Sequence, residues 1–140
     1  MIPPHVQIAL QKVLSDNPGE KEIGLKAVHA LGEPDKTLLL GFLKEDAERH
    51  PDRSAPTSAL HSLAVQKVPG AAMTLVDTAR KIAPDKLSPV VPQNIAEIAQ
   101  HQSELMKPVR AALEEIAKSE HTKGGKAAAK ALETLNKKKS

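Results

Sequence analysis

Six histidines, at positions 5, 29, 50, 61, 101 and 121, are the side chains here whose chemistry operates near neutral pH. His29 and His61 fall at matching places in a recurring pattern, which would set them on neighbouring helices about 8–10 Å apart between axes. Two imidazoles so placed share a metal only with reorientation and a third ligand, for which Glu33 or Glu97 is the choice the sequence offers. No His-x-x-x-His or His-Glu-x-x-His spacing is present. The expectation is therefore no metal site, with His29 and His61 solvated or facing a partner. His5, His50, His101 and His121 are read as exposed polar residues at helix edges or in loops.

Other chemistries are equally poorly provided for. The chain has no cysteine, which removes disulfides, thiolate metal sites and cysteine nucleophiles. There is no Gly-x-Ser-x-Gly elbow. Gly124-Gly125-Lys126 has no strand before it and no Ser or Thr after the lysine, so it is not expected to cradle phosphate. Glu114 and Glu115 are adjacent on a helix and point about 100° apart, which cannot make a carboxylate pair sharing a proton. No catalytic residue and no cofactor is expected. A lyase or glycosylase-like activity is the enzymatic alternative.

Phe42 is the single aromatic residue, so the core must be built from Leu, Ile, Val and Ala, with Met73 and Met106 as fillers. The surface can offer almost no ring for stacking on bases, flavins or sugars. Of the net charge of +3, the end of the chain supplies more than all: residues 118–140 hold seven lysines against two glutamates, leaving thirteen cations against fifteen carboxylates before them. That basic end makes nucleic acid the alternative partner. No run approaches the roughly 18 apolar residues of a membrane span and no secretory signal opens the chain, so an unanchored cytoplasmic protein is expected.

The elements that would position these residues are helices. Four segments share a small-and-aliphatic ending, starting at Gly24, Pro56, Val91 and Ala128, with spacings of 32, 35 and 37 residues. That period belongs to stacked two-helix repeats. In the first pair, Pro3 and Pro4 open a helix carrying Val6, Leu10, Val13 and Leu14; Asp16-Asn17-Pro18-Gly19 turns the chain, and residues 20–31 return, closed by Gly32 as C-cap. In the second, Asp35 caps a helix over 37–46 bearing Leu39, Leu40, Phe42 and Leu43, and the return covers 54–65. The third opens at Pro69, runs to Ile82, and returns over 91–100 after an irregular connector, Pro84 to Pro92. The fourth covers 103–118, is broken at Gly124-Gly125, and ends in an Ala-rich helix over 126–136. Residues 1–136 are read as one domain and 137–140 as a basic tail.

Leu38 to Leu63, with Asp46, Arg53-x-Ala55 and Ala59-Leu60-x-x-Leu63, resembles the HEAT repeat family in its bacterial phycobilisome-lyase-like variety, whose second helices carry the pattern Arg-x-Ala-Ala-x-x-Ala-Leu. The other units depart from it: Glu22 and Ile23 replace an expected Val-Arg, the third unit has no arginine at the motif position, and the fourth offers Lys123 and Lys126 instead. The resemblance implies an all-α, right-handed α-solenoid of about four two-helix repeats that binds another protein on its concave face. Gly24, Ala27, Val28 and Leu31 would then face the neighbouring repeat. Lys26, His29, Ser58, His61, Gln93 and Lys130, together with Ala96 and Glu133, would form two rows across the inner face.

Overall fold

A computed structural model describes residues 2–139 of the chain, the side chains of 138 and 139 excepted. Among the described residues there are eight α-helices and one 3-10 turn, with no strand. They are α1 (Pro4–Val13), α2 (Pro18–Ala30), α3 (Glu33–Arg49), α4 (Ala55–Val65), α5 (Ala71–Lys81), α6 (Val90–His101), the turn Ser103–Leu105, α7 (Met106–Ala117) and α8 (Lys123–Lys139).

Each helix follows from its local sequence. Pro4 and Pro18 occupy first-turn positions whose missing N–H costs nothing. Asn17 caps α2, its Oδ1 accepting from the N–H groups of Gly19 (2.9 Å) and Glu20 (3.2 Å). Buried residues recur at helical spacing, as in Val6, Ala9 and Val13 on α1 or Val109, Ala112, Leu113 and Ile116 on α7. The core is aliphatic throughout; its bulkiest fully buried side chains include Leu39, Leu43, Leu60, Leu63, Leu75, Leu87 and Leu113.

Several boundaries differ from the sequence reading, each for a tertiary reason. Gly32 has an ordinary negative φ of −72° and precedes α3; it does not close α2. Asp35 lies inside the first turn of α3, where its carboxylate meets His5 Nε2 at 2.7 Å. Pro92 is not in a connector but buried in the first turn of α6. Met73 is 37 % exposed and no core filler.

Gly124 and Gly125 do not break the chain: both are buried in the first turn of α8. A Cβ on Gly124 would lie 2.5 Å from the Pro84 carbonyl oxygen, and one on Gly125 2.0 Å from that of Ser119. Glycine is needed there because other backbone comes within touching distance. α8 also continues to Lys139, so 137–139 extend a helix; Ser140, the last residue of the expected tail, lies outside the described residues.

Helices consecutive in the chain pair as α1 with α2, α3 with α4, α5 with α6 and α7 with α8. The odd-numbered helices meet in order, α1 on α3, α3 on α5 and α5 on α7, and α6 contacts both α4 and α8. Substantial packing joins helices one or two places apart in chain order. The polar links between hairpins obey the same rule: Lys21 with Ser58 and His29 with Gln66 are both 37 residues apart, and Arg80 with Glu115 are 35 apart.

Candidate binding face

The even-numbered helices carry the residues that the sequence singled out. Lys26 and His29 on α2 are exposed, Ser58 on α4 is exposed, His61 is half-buried, and Gln93 on α6 and Lys130 on α8 are exposed. Lys26 stands 3.7 Å from Glu22 with both side chains solvated, an ion pair worth little. Gln93 and Lys130 share a cleft of about 240 Å³ between α6 and α8, also lined by Glu97 and Thr134.

The expected alignment of α2 on α4 is wrong. Instead of matching His61, His29 donates from Nε2 to Gln66 Oε1 at 2.7 Å, and Ser58 Oγ accepts from Lys21 Nζ at 3.1 Å. An apolar stripe looks the same after a shift of about one turn, so the pattern of leucines fixes which side is buried but not how far one helix slides along the next. The second expected row is interrupted too. Ala96 is 4 % exposed and belongs to the core, and Glu97 takes the outward position beside it.

His61 is the most constrained residue of this face. Its Nε2 is buried and has no hydrogen-bond partner. Burial pushes the imidazole below its usual value; the charge of Lys21 depresses it further while that of Glu97 opposes both. That nitrogen is itself shut off from solvent, so a partner laid on the face reaches only the exposed part of the ring, near the charges of Lys21 and Glu97. Lys21 and Gln66 were missed by the sequence reading, which named Glu97 only as a conceivable metal ligand. No local signal could have found the two α2–α4 links, because the endings of those helices are 32 residues apart in the sequence whereas both links span 37.

The other chemical candidates are occupied by structural work. The Gly124 N–H donates to Pro84 O at 3.2 Å and the Gly125 N–H to Thr122 Oγ1 at 2.9 Å, so neither is directed at a phosphate. Glu115 accepts from both Nε and Nη2 of Arg80, at 3.0 and 2.9 Å, tying α7 to α5. Among the described residues no group of three His, Cys, Asp or Glu side chains could hold a metal ion, and no helix is long and apolar enough to cross a membrane.

At one end of α4 and α6, a cleft of about 510 Å³ is bordered by Lys67, Met73, His101 and Glu104. Lys67 adopts the left-handed region, φ 62°, where it closes α4: its N–H reaches Ala64 O and the next N–H, of Val68, reaches Leu63 O. A second cleft, of about 360 Å³, lies at the opposite end of these helices and includes Arg53, Lys86 and Lys123. No family model, curated protein or solved structure matches the chain.

Proposed function

We propose that the chain is a short, right-handed HEAT-like solenoid of four helical pairs, acting as a non-catalytic module that binds another protein along its even-numbered helices. The observation that carries this reading is the packing order. Hairpins that pack chiefly on near neighbours in the sequence set α6 against both α4 and α8, and α2 reaches α4 through the Lys21–Ser58 and His29–Gln66 bridges, so that Lys21, Ser58, His61, Gln93 and Lys130 are carried on four different helices. Side chains held on packed helices lose little conformational freedom on binding, so a partner segment laid across them is recognised by a preformed surface.

The test is recovery of partners on the immobilised full chain, identified by mass spectrometry and compared with two variants. Replacing Lys26, His29 and His61 together by alanine is expected to reduce recovery at least about tenfold while leaving the thermal midpoint within a few degrees. Leu60→Ala, which empties a fully buried position on the same helix, is expected to cost about 2–5 kcal/mol of stability. Equal loss of fold in both variants, or unchanged recovery in the triple variant, would contradict the reading.

A further inference from the structure

The lysines of α8 form a single stripe. Lys123, Lys126, Lys130 and Lys137 stand 3, 4 and 7 residues apart, and all four are exposed. At about 100° per residue they fall within about 60° of one another on one side of the helix and extend over about 21 Å. The opposite side, with Ala127, Ala128, Ala131 and Leu135, is buried. Glu133 is the one carboxylate of α8, and Ala129 and Thr134 are the small exposed neighbours.

The stripe does not end with its helix. Lys123 shares the 360 Å³ cleft with Arg53, from the turn before α4, and with Lys86, from the connector before α6. Asp52 and Asp85 also line that cleft. Cations from three separate segments therefore converge at the head of a lysine row, on a chain whose body is close to neutral.

We infer that this side of α8, with the Arg53–Lys86–Lys123 cleft at its head, binds the phosphate backbone of a nucleic-acid duplex without reading its sequence. Lys130 also borders the α6–α8 cleft of the proposed protein face, but the stripe as a whole is a row of lysines, which protein interfaces are depleted in, without the buried aromatic or arginine anchors on which those interfaces depend. A row of exposed ammonium groups gains its binding free energy from releasing the counterions condensed on a polyphosphate. The duplex is favoured over a single strand because no aromatic platform stands along α8 for unstacked bases. Sequence readout is not expected, since backbone contacts position a protein on DNA or RNA but do not discriminate bases.

The experiment is fluorescence anisotropy of the full chain with two labelled duplexes of about 20 base pairs and unrelated sequence, titrated between about 50 and 200 mM salt. Six cations, the four lysines of the stripe with Arg53 and Lys86, predict a log–log salt slope of about −5 and affinities within about twofold for the two sequences. Replacing Lys126, Lys130 and Lys137 by alanine, which keeps high helix propensity, should remove about 3 of that slope and weaken low-salt binding at least tenfold. A control with equal charge loss, at Lys12, Lys36 and Lys44, should change binding less than about threefold.

Salt-independent or undetectable binding by the unmodified chain, or equal weakening in the two triple variants, would overturn the inference. Competition on the unmodified protein keeps the test decisive should the stripe variant unfold. Displacement of the duplex by polyglutamate at equal charge concentration would reassign the stripe to acidic protein segments. Resistance to such displacement supports the duplex.

Discussion

The first and last hairpins are both terminal, yet they are joined to the rest of the chain by different physics. The α1–α2 hairpin meets its neighbours through the packing of α1 on α3 and through three polar bridges: His5 with Asp35, Lys21 with Ser58, and His29 with Gln66. Its outward side chains include Ile8 and Ile23, 53 % and 55 % exposed. The α7–α8 hairpin instead packs α8 on α6 and α7 on both α5 and α6. The start of α8 is pressed onto the Pro84 carbonyl at a place where only glycine fits. Solvated polar bridges are worth a few tenths of a kcal/mol each, whereas buried aliphatic contacts and tight backbone approach are worth several times more. Within one fold, the basic end is seated firmly and the opposite end is the unit placed to open first.

The sharpest way to break that contrast is to damage one attachment at each end. Gly124→Ala must displace the Pro84 backbone, whose carbonyl oxygen lies 2.5 Å from the new methyl, and also presses on Leu87 Cβ at 3.1 Å, and is expected to cost about 1–3 kcal/mol. His29→Ala removes an exposed hydrogen bond and is expected to cost less than about 0.5 kcal/mol. Urea denaturation of the two variants checks the ranking, which fails if His29→Ala is the more damaging.

A smaller effect lies between the two ends, at His61. Burial holds this imidazole below 6.5, so below that pH the unfolded chain binds the proton more readily than the folded one. Its contribution to stability is fully present above 6.5 and is lost as the pH falls toward the folded value. His61→Gln, which cannot be protonated, should flatten the decline of the thermal midpoint between about pH 7 and pH 5. An identical decline in the unmodified chain and the variant would remove His61 from this account.

The helices were largely legible because their signals are local. The Asn17-Pro18 turn, proline in first turns, and the spacing of Leu39, Leu40 and Leu43 or of Leu60 and Leu63 each depend on neighbours within about a turn. What was not legible depends on segments far apart in the chain. Gly124 and Gly125 read as a break because nothing local reveals that Pro84 and Ser119 approach them. The slide of α2 along α4, and with it the separation of His29 from His61, is set by packing that an apolar stripe leaves open. Five of the six expected face residues, Lys26, His29, Ser58, Gln93 and Lys130, are exposed on even-numbered helices, and Gln93 and Lys130 line the α6–α8 cleft. Glu97 was not expected on this face because its outward position follows from the burial of Ala96.

Hydrogen exchange on the full chain carrying Val28→Ala most directly tests the claim that each hairpin is supported chiefly by its neighbours. Val28 is fully buried on α2. The account predicts faster exchange in α1, α2 and the adjoining α3, with amides of α7 and α8 keeping their unmodified rates. Acceleration spread evenly from α1 to α8 would contradict it, because that is the response of one cooperative core and not of a stack.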